Sequence, residues 1–138
     1  MKRYPLVEEV RTSFSAAKLF SFVHQELFAF FLYSGMDPAK LGRYSFIGWA
    51  PFLVLKSRGD ELTSLRDGCQ EKLRGNPFKV LGELLKRYEL DPGGAPTPLA
   101  GGAVGYLGYD LCRFIERVPS RARDDLRLPD CCLGFYDL

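Results

Sequence analysis

Two tight-turn signals divide the middle of the sequence into short runs of strand length. Gly59-Asp60 separates the apolar run 52–56 from the run 61–65, and Asp67-Gly68 follows the second run closely. Runs of about five residues joined by two-residue turns pair antiparallel, because a parallel crossover needs a dozen residues or more. Beginning with the run at 44–49, these signals predict an antiparallel meander.

Helices are predicted on both sides of this meander. Residues 16–27 carry apolar side chains on one helical face after Ser15, a favoured N-cap, and residues 77–88 do so after Asn76 and Pro77. Four further strands and one short helix complete the prediction: strands at 4–10, 27–33, 100–109 and 131–138, and a helix at 111–117. Mostly antiparallel strands with two main helices predict an α+β fold, in one domain over residues 1–138.

Composition and charge exclude several classes of protein. Hydrophobic residues make up 46% of the chain, which favours a folded globule over a disordered segment. The net charge of +2 is too small to indicate binding to nucleic acid or to an anionic membrane. No apolar run approaches the roughly 20 residues that span a bilayer, and the first ten residues lack the apolar stretch of a signal peptide. A cytoplasmic location is therefore expected.

The cysteines and histidine form no pattern of a metal site or of a nucleophilic enzyme. Cys69, Cys112, Cys131 and Cys132 include no C-x-x-C pair, and His24 is the only histidine. We therefore expect buried, reduced thiols and no metal or cofactor in this chain. Without a nucleophile beside it, His24 is expected to be a hydrogen-bonded helix residue and not a general base.

Three glycines recur at every third position in the predicted strand 100–109. Gly102, Gly105 and Gly108 fit neither the dinucleotide-binding pattern nor a P-loop, because the helix and the Lys-Ser/Thr ending of those motifs are missing. Glycine weakens a strand interior, so its repetition indicates a close backbone approach. Packing of another element is the simpler interpretation, and the wall of a small-molecule pocket is the alternative.

A second group of residues has the chemistry that an amino-acid ligand needs. Arg43 offers a partner for a carboxylate, Ser34 offers an acceptor for an ammonium group, and nearby Phe and Tyr side chains offer an apolar slot. The residues alone leave a simpler alternative open. Ser34-Gly35 is also an ordinary turn, and an arginine in a strand is commonly solvated or ion-paired.

Three segments in fixed order resemble a known family. They read LGRYSFIG at 41–48, GGAVGYLGYD at 101–110 and LPDCCLGFYD at 128–137. The chain resembles the N-terminal domain of component I of aminodeoxychorismate (para-aminobenzoate) synthase and of anthranilate synthase. The resemblance implies a non-catalytic domain. The catalytic, chorismate-binding domain would follow in the same polypeptide and hold Mg²⁺, and a glutamine amidotransferase subunit would supply ammonia.

The resemblance also implies a site for L-tryptophan. Carried over by position, its residues are Ser34, Leu41, Gly42, Arg43 and Tyr44. Anthranilate synthases usually have a glutamate before this serine, where the chain has Tyr33, so the resemblance favours the aminodeoxychorismate branch. The anthranilate synthase domain, a free-standing amino-acid-binding module and a ligand-free scaffold domain remain as alternatives.

The strand predicted at 131–138 is mostly apolar and aromatic and runs to the last residue, with Asp137 as its one charged residue. Such a strand either lies inside its sheet or pairs with a strand from a continuing chain. We expect the second arrangement, because a domain more commonly ends in a polar segment.

Overall fold

The computed structural model describes residues 3–35, 42–91, 93, 95, 97–119 and 124–137. The helices and strands are short, and five consecutive strands lie between the two α-helices. In chain order they are α1 (Ala16–Val23), β1 (Phe30–Leu32), β2 (Phe46–Gly48), β3 (Leu53–Arg58), β4 (Glu61–Arg66), β5 (Cys69–Arg74), α2 (Pro77–Arg87), β6 (Ala103–Leu107), a 3₁₀ helix (Tyr109–Phe114) and β7 (Cys131–Phe135). The predicted α+β class is confirmed.

The chain divides into two compact units. The first unit comprises Met1–Pro51, Glu89–Gly102 and Tyr136–Leu138, and the second comprises Phe52–Tyr88 and Ala103–Phe135. The assignment of residues 1–138 to one domain stays a prediction.

The second unit is built on a five-stranded antiparallel sheet with the order β5-β4-β3-β7-β6. Its meander β3-β4-β5 is confirmed, with the turns where the sequence predicts them. Asp67 and Gly68 have φ of 50° and 76°, and left-handed values at both central residues match the twist of a tight hairpin. The prediction was wrong for β2, which pairs with β1 in a separate two-stranded sheet.

Strand β7 lies in the interior of this sheet. It pairs with β3 on one side and with β6 on the other. All its residues except Cys132 are buried. An apolar run fits a central strand because both of its faces and both of its edges are covered. The observed place of β7 is thus inside the sheet, and our preference for pairing with a continuing chain was wrong for Cys131–Phe135.

The core of the second unit lies between the sheet and α2. Its buried side chains are Leu53, Leu55, Leu62 and Phe135. Val80, Leu81 and Leu84 on α2, and Tyr88 directly after it, pack against them. The side chain of Asn76 caps α2, since its oxygen accepts the N–H of Phe78 at 2.9 Å. Leu85, predicted on the apolar face, is 41% exposed.

The first unit contains α1 and the β1-β2 pair. Ser15 caps α1 as predicted, because its hydroxyl accepts the N–H of Lys18 at 3.3 Å. The strand predicted at 27–33 is shorter than expected: Phe28 has φ of 55°, and only Phe30–Leu32 is a strand. A left-handed residue cannot continue a strand.

The strand predicted at residues 4–10 is absent. These residues form neither helix nor strand, and all of them except Pro5 are exposed. Leu6 and Val10 are 88% and 80% exposed. Within the described chain, no neighbouring strand pairs with this segment and buries its apolar side chains.

The glycine pattern reflects a close approach between strands. A Cβ at Gly105 would meet the carbonyl oxygen of Cys132 and would lie 2.9 Å from the Cα of Leu133, both on β7. A Cβ at Gly108 would lie 2.8 Å from the carbonyl oxygen of Asp130. The interpretation as element packing is therefore confirmed at these two positions. The predicted short helix is the 3₁₀ helix Tyr109–Phe114, two residues earlier than expected.

Candidate functional site

The pairing of β1 with β2 brings the predicted site residues together. Leu32 lies opposite Phe46 in this antiparallel pair. Ser34 follows β1 by two residues, and Tyr44 precedes β2 by two residues. The backbone N–H of Ser34 donates to the hydroxyl of Ser45 at 3.3 Å, which holds the two segments side by side. The segments around Ser34 and Tyr44, ten residues apart in the sequence, thus meet at one end of the β1-β2 pair.

Aromatic rings line both segments. The ring of Phe31 stacks on that of Phe20 with centroids 5.1 Å apart, and it contacts the ring of Tyr33 at 5.2 Å. On the other segment, Tyr44 stacks on Phe46 with centroids 6.3 Å apart. The Tyr44–Phe46 stack lies on the face that contains Leu32, and Phe31 lies on the opposite face, because opposed residues share a face and successive residues alternate. An aromatic surface is therefore present on each face of the pair.

Tyr33 folds back over the glycine that follows the serine. A Cβ at Gly35 would lie 2.6 Å from Cε1 of Tyr33, so the ring occupies the space that a side chain at residue 35 would need. A glutamate at position 33 would place a charged, flexible group there in the place of a rigid ring. Tyr33 thus gives this end of β1 an aromatic and uncharged surface.

Arg43 supplies the positive charge of the site. Its guanidinium carbon lies 5.3 Å from the centroid of the Tyr44 ring, within the range of a cation–π contact. The side chain is exposed and, among the residues that the structure describes, forms no ion pair with a carboxylate. A guanidinium held against a ring and still open to solvent can bind a carboxylate through two N–H donors.

The structure places Ser34 beside the segment that contains Tyr44, and it places Arg43 against the Tyr44 ring. Gly42 precedes Arg43 in that segment, and Leu41 lies outside the described residues. Sequence reasoning missed Ser45, whose hydroxyl joins the two segments. It also missed the stacking of Phe20 on Phe31, which lies on the other face of the pair. Ser45 lies inside the LGRYSFIG segment, next to Tyr44, which was the available signal.

His24 and the acidic residue Asp124 have structural partners. Nδ1 of His24 lies 3.0 Å from the backbone oxygen of Ser21 at the end of α1, in agreement with a satisfied helix histidine. Asp124 pairs with Arg58, and its other oxygen accepts the N–H of Arg127 at 2.8 Å. In the part of the chain that the structure describes, no three His, Cys, Asp or Glu side chains cluster as metal ligands.

The cysteines are free, but they differ in environment. Cys131 is buried with its sulfur 3.1 Å from the hydroxyl of Ser57, whereas Cys69 is exposed, so the prediction of buried thiols was wrong for Cys69. Burial raises the pKa of the Cys132 thiol above its ordinary value, and the Lys56 ammonium group acts in the opposite direction. Desolvation disfavours the thiolate, so the Cys132 sulfur is a poor nucleophile.

Curated proteins with similar sequences share two names. Over 124 residues the chain is 36% identical to component 1 of anthranilate synthase from Acetivibrio thermocellus; the match covers 86% of the chain and 24% of that protein. Over 125 residues it is 34% identical to component 1 of aminodeoxychorismate synthase from Klebsiella aerogenes, covering 89% and 28%. Its homologues are component 1 of these two synthases. The resemblance of the three sequence segments is confirmed.

The two kinds of component 1 are about equally similar to the chain. A Synechocystis anthranilate synthase component 1 is 44% identical over 94 residues, which cover 65% of the chain and 18% of that protein. The chain spans about a quarter of the length of the relatives it matches. No family model matches it. Among the described residues, no helix is long and apolar enough to cross a membrane.

Proposed function

We propose that the chain is the N-terminal, non-catalytic domain of component 1 of an aminodeoxychorismate synthase. The observation that carries the proposal is the extent of the match: most of this chain aligns with only about a quarter of each relative. In addition, the described residues include no cluster of carboxylates that could hold the Mg²⁺ of the reaction. The catalytic groups would then lie in the part of the polypeptide that this chain does not match.

The proposed parent enzyme converts chorismate and ammonia to 4-amino-4-deoxychorismate, a precursor of para-aminobenzoate and folate. The partners of this chain would be the C-terminal chorismate-binding domain of the same polypeptide, which would bind Mg²⁺, and a glutamine amidotransferase subunit that would release ammonia. The role of this chain is to pack against the catalytic domain.

A turnover assay tests the non-catalytic role. The pure 138-residue chain, given chorismate, ammonia and Mg²⁺, is expected to form no 4-amino-4-deoxychorismate. The region of the Klebsiella aerogenes component 1 outside the matched part, supplied as a second polypeptide, is expected to be more active with the chain than without it. Product formation by the chain alone would contradict the proposal.

We also propose that Ser34, Arg43 and Tyr44, with Leu41 and Gly42, bind L-tryptophan. The guanidinium of Arg43 would bind the carboxylate, and the hydroxyl of Ser34 would accept a hydrogen bond from the ammonium group. The ring of Tyr44, which lies beside Phe46, would contact the indole. The support is the geometry: the two segments lie side by side at the same end of the β1-β2 pair, with Arg43 against the Tyr44 ring and Tyr44 stacked on Phe46.

Thermal denaturation with and without tryptophan tests this site. A ligand at a hundredfold excess over its dissociation constant adds about 2.7 kcal/mol to the free energy of unfolding, so the melting temperature should rise. The rise should be lost in Arg43→Ala and in Ser34→Ala. It should persist in Arg117→Ala, which removes an exposed arginine elsewhere. An equal rise in all variants would contradict the assignment of the site, and no rise in the wild type would favour a ligand-free scaffold.

The second candidate is the corresponding domain of anthranilate synthase. It is favoured by the relatives of 36% and 44% identity, which are anthranilate synthase components. Tyr33 favours the aminodeoxychorismate branch, because anthranilate synthases usually have a glutamate there. The product of the full-length native enzyme distinguishes the two: anthranilate would contradict the first proposal and support the second.

A further inference from the structure

The five-stranded sheet has two edges with opposite chemistry. Edge strand β5 reads CQEKLR and carries Glu71, Lys72 and Arg74. Edge strand β6 reads AVGYL and has no charged residue. Proteins commonly place charges on exposed edge strands because an uncharged edge is a template for another strand. By this criterion β5 is protected against strand addition, and β6 is open to it.

The backbone of β6 leaves a regular row of groups on its outer side. The N–H of Gly108 donates to the carbonyl oxygen of Asp130 at 2.6 Å, which sets the hydrogen-bonded positions of the β6-β7 pair. Hydrogen-bonded and non-hydrogen-bonded positions alternate in an antiparallel pair. The N–H and C=O groups of Ala103, Gly105 and Leu107 therefore point away from β7, and no other described strand pairs with them.

The side chains at this edge are apolar and open to solvent. Tyr106 is 44% exposed, Leu107 is 55% exposed, and Tyr109 just beyond the strand is 86% exposed. Gly105, just before Tyr106, is also exposed and has no side chain that would shield its backbone. An incoming strand would bury apolar area as well as pair its backbone, and both effects favour binding.

We propose that β6 accepts a further β-strand from the catalytic part of the same synthase polypeptide. This inference rests on the proposed function, since the relatives contain about three quarters of their length outside the matched region. An uncharged, apolar edge fits an extended segment with few charges. The strand added to β6 would therefore carry apolar side chains on both of its faces. The interaction would continue the sheet beyond β6.

Hydrogen exchange measured by NMR tests the pairing at single residues. In the 138-residue chain alone, the amides of Ala103, Gly105 and Leu107 are expected to exchange fast, and those of Val104 and Tyr106 slowly. Adding the unmatched region of the Klebsiella aerogenes component 1 should abolish the fast exchange of the first three. If the two polypeptides bind and these amides remain fast, the edge inference is wrong while the proposed function stands.

Substitutions at the two edges provide matched controls. Leu107→Pro removes an outward N–H and should weaken the complex about fivefold, the value of one net hydrogen bond. Leu107→Ala keeps that N–H and separates the contribution of the side chain. Lys72→Pro removes an outward N–H from β5 and should leave the affinity unchanged. Ala103→Pro is a second edge variant, should Leu107→Pro fail to fold.

Two other outcomes are distinguishable. Protection of Ala103, Gly105 and Leu107 that appears in the chain alone as its concentration rises would identify a second copy as the occupant, and would overturn the proposal. Failure of the two polypeptides to bind or to restore activity would contradict the proposed function itself, and this inference with it.

Discussion

At the scale of single residues, glycine at position 105 is set by the neighbouring strand. The space that a Cβ would need is occupied by the backbone of β7, at Cys132 and Leu133. Backbone atoms inside a sheet cannot move aside as the end of a flexible side chain can. The glycine is thus a requirement of packing and not a sign of a ligand.

Gly105→Ala should therefore destabilise the protein. The expected loss is about 1–3 kcal/mol of the free energy of unfolding, as for other overpacked sites. Gly82→Ala is the matched control: it lies on α2 with no atom within 4 Å of the added Cβ, and should stabilise by about 0.4–1 kcal/mol. Urea denaturation measures both. Equal midpoints for the two variants would contradict the close approach of β6 and β7.

The half-buried thiol of Cys132 predicts a pH dependence. Its pKa is raised in the folded state, so ionisation favours the unfolded chain. Its contribution to stability is present below the ordinary thiol pKa and falls as the pH rises from 9.0 towards the folded-state value. Wild type should lose more stability than Cys132→Ser between pH 8 and 10, by urea denaturation. Parallel pH profiles would rule out a contribution from this thiol.

The candidate site was predictable in part. Arg43 and Tyr44 were named as candidates because they lie in the familiar segment LGRYSFIG, and Ser34 was carried over by its position after the apolar run 27–33. Their proximity depends on the register of β1 and β2, which is fixed by pairs such as Leu32 with Phe46. A sequence gives no direct measure of register. Ser45 stands next to Tyr44 in the segment 41–48, but its hydrogen bond to Ser34 depends on that register.

At the scale of elements, the helix α2 shows how local signals determine structure. Asn76 accepts an N–H that would otherwise have no partner, and Pro77 occupies a position where its missing N–H costs nothing. Lys86 and Arg87 lie in the last turn, where positive charge is favourable.

Asn76→Ala should lower the free energy of unfolding by about 1 kcal/mol, because the N–H of Phe78 loses its acceptor. Asn76→Asp, which keeps an acceptor oxygen, should retain most of the stability. Thermal melts followed by circular dichroism give both values. A similar loss in the two variants would show that the cap is not what stabilises this end of α2.

Elements with strong local signals were predicted well, and elements that depend on partners were not. The hairpins of β3, β4 and β5 follow from the turn residues Gly59 and Gly68. Residues 4–10 have a strand pattern but no strand beside them in the described chain, and a strand without a partner is not stable. Strand pairing depends on the whole fold and not on the local sequence, which explains why the strand predicted at residues 4–10 was wrong.

At the scale of the whole molecule, stability is expected to be uneven. The buried core residues belong to the central strands β3, β4 and β7, whereas residues 4–10 are exposed and form no strand. Local opening costs little free energy where few apolar contacts are broken.

Hydrogen exchange of the 138-residue chain should reflect this difference. Amides of Leu55 and Leu133 should be among the slowest, and those of Leu6 and Val7 should exchange at nearly the rate of an unfolded peptide. NMR resolves these positions individually. Strong protection at Leu6 and Val7 would mean that this segment is paired in solution.

The interior position of β7 has a consequence for synthesis on the ribosome. Of the described strands it is made last, yet β6 joins the sheet only through it. While residues 131–135 are still inside the exit tunnel, β3-β4-β5 can form from local contacts, but β3 presents an unpaired apolar edge and β6 has no place to bind. The nascent chain is then most exposed to aggregation and to chaperones, until residues 131–135 emerge and pair between β3 and β6.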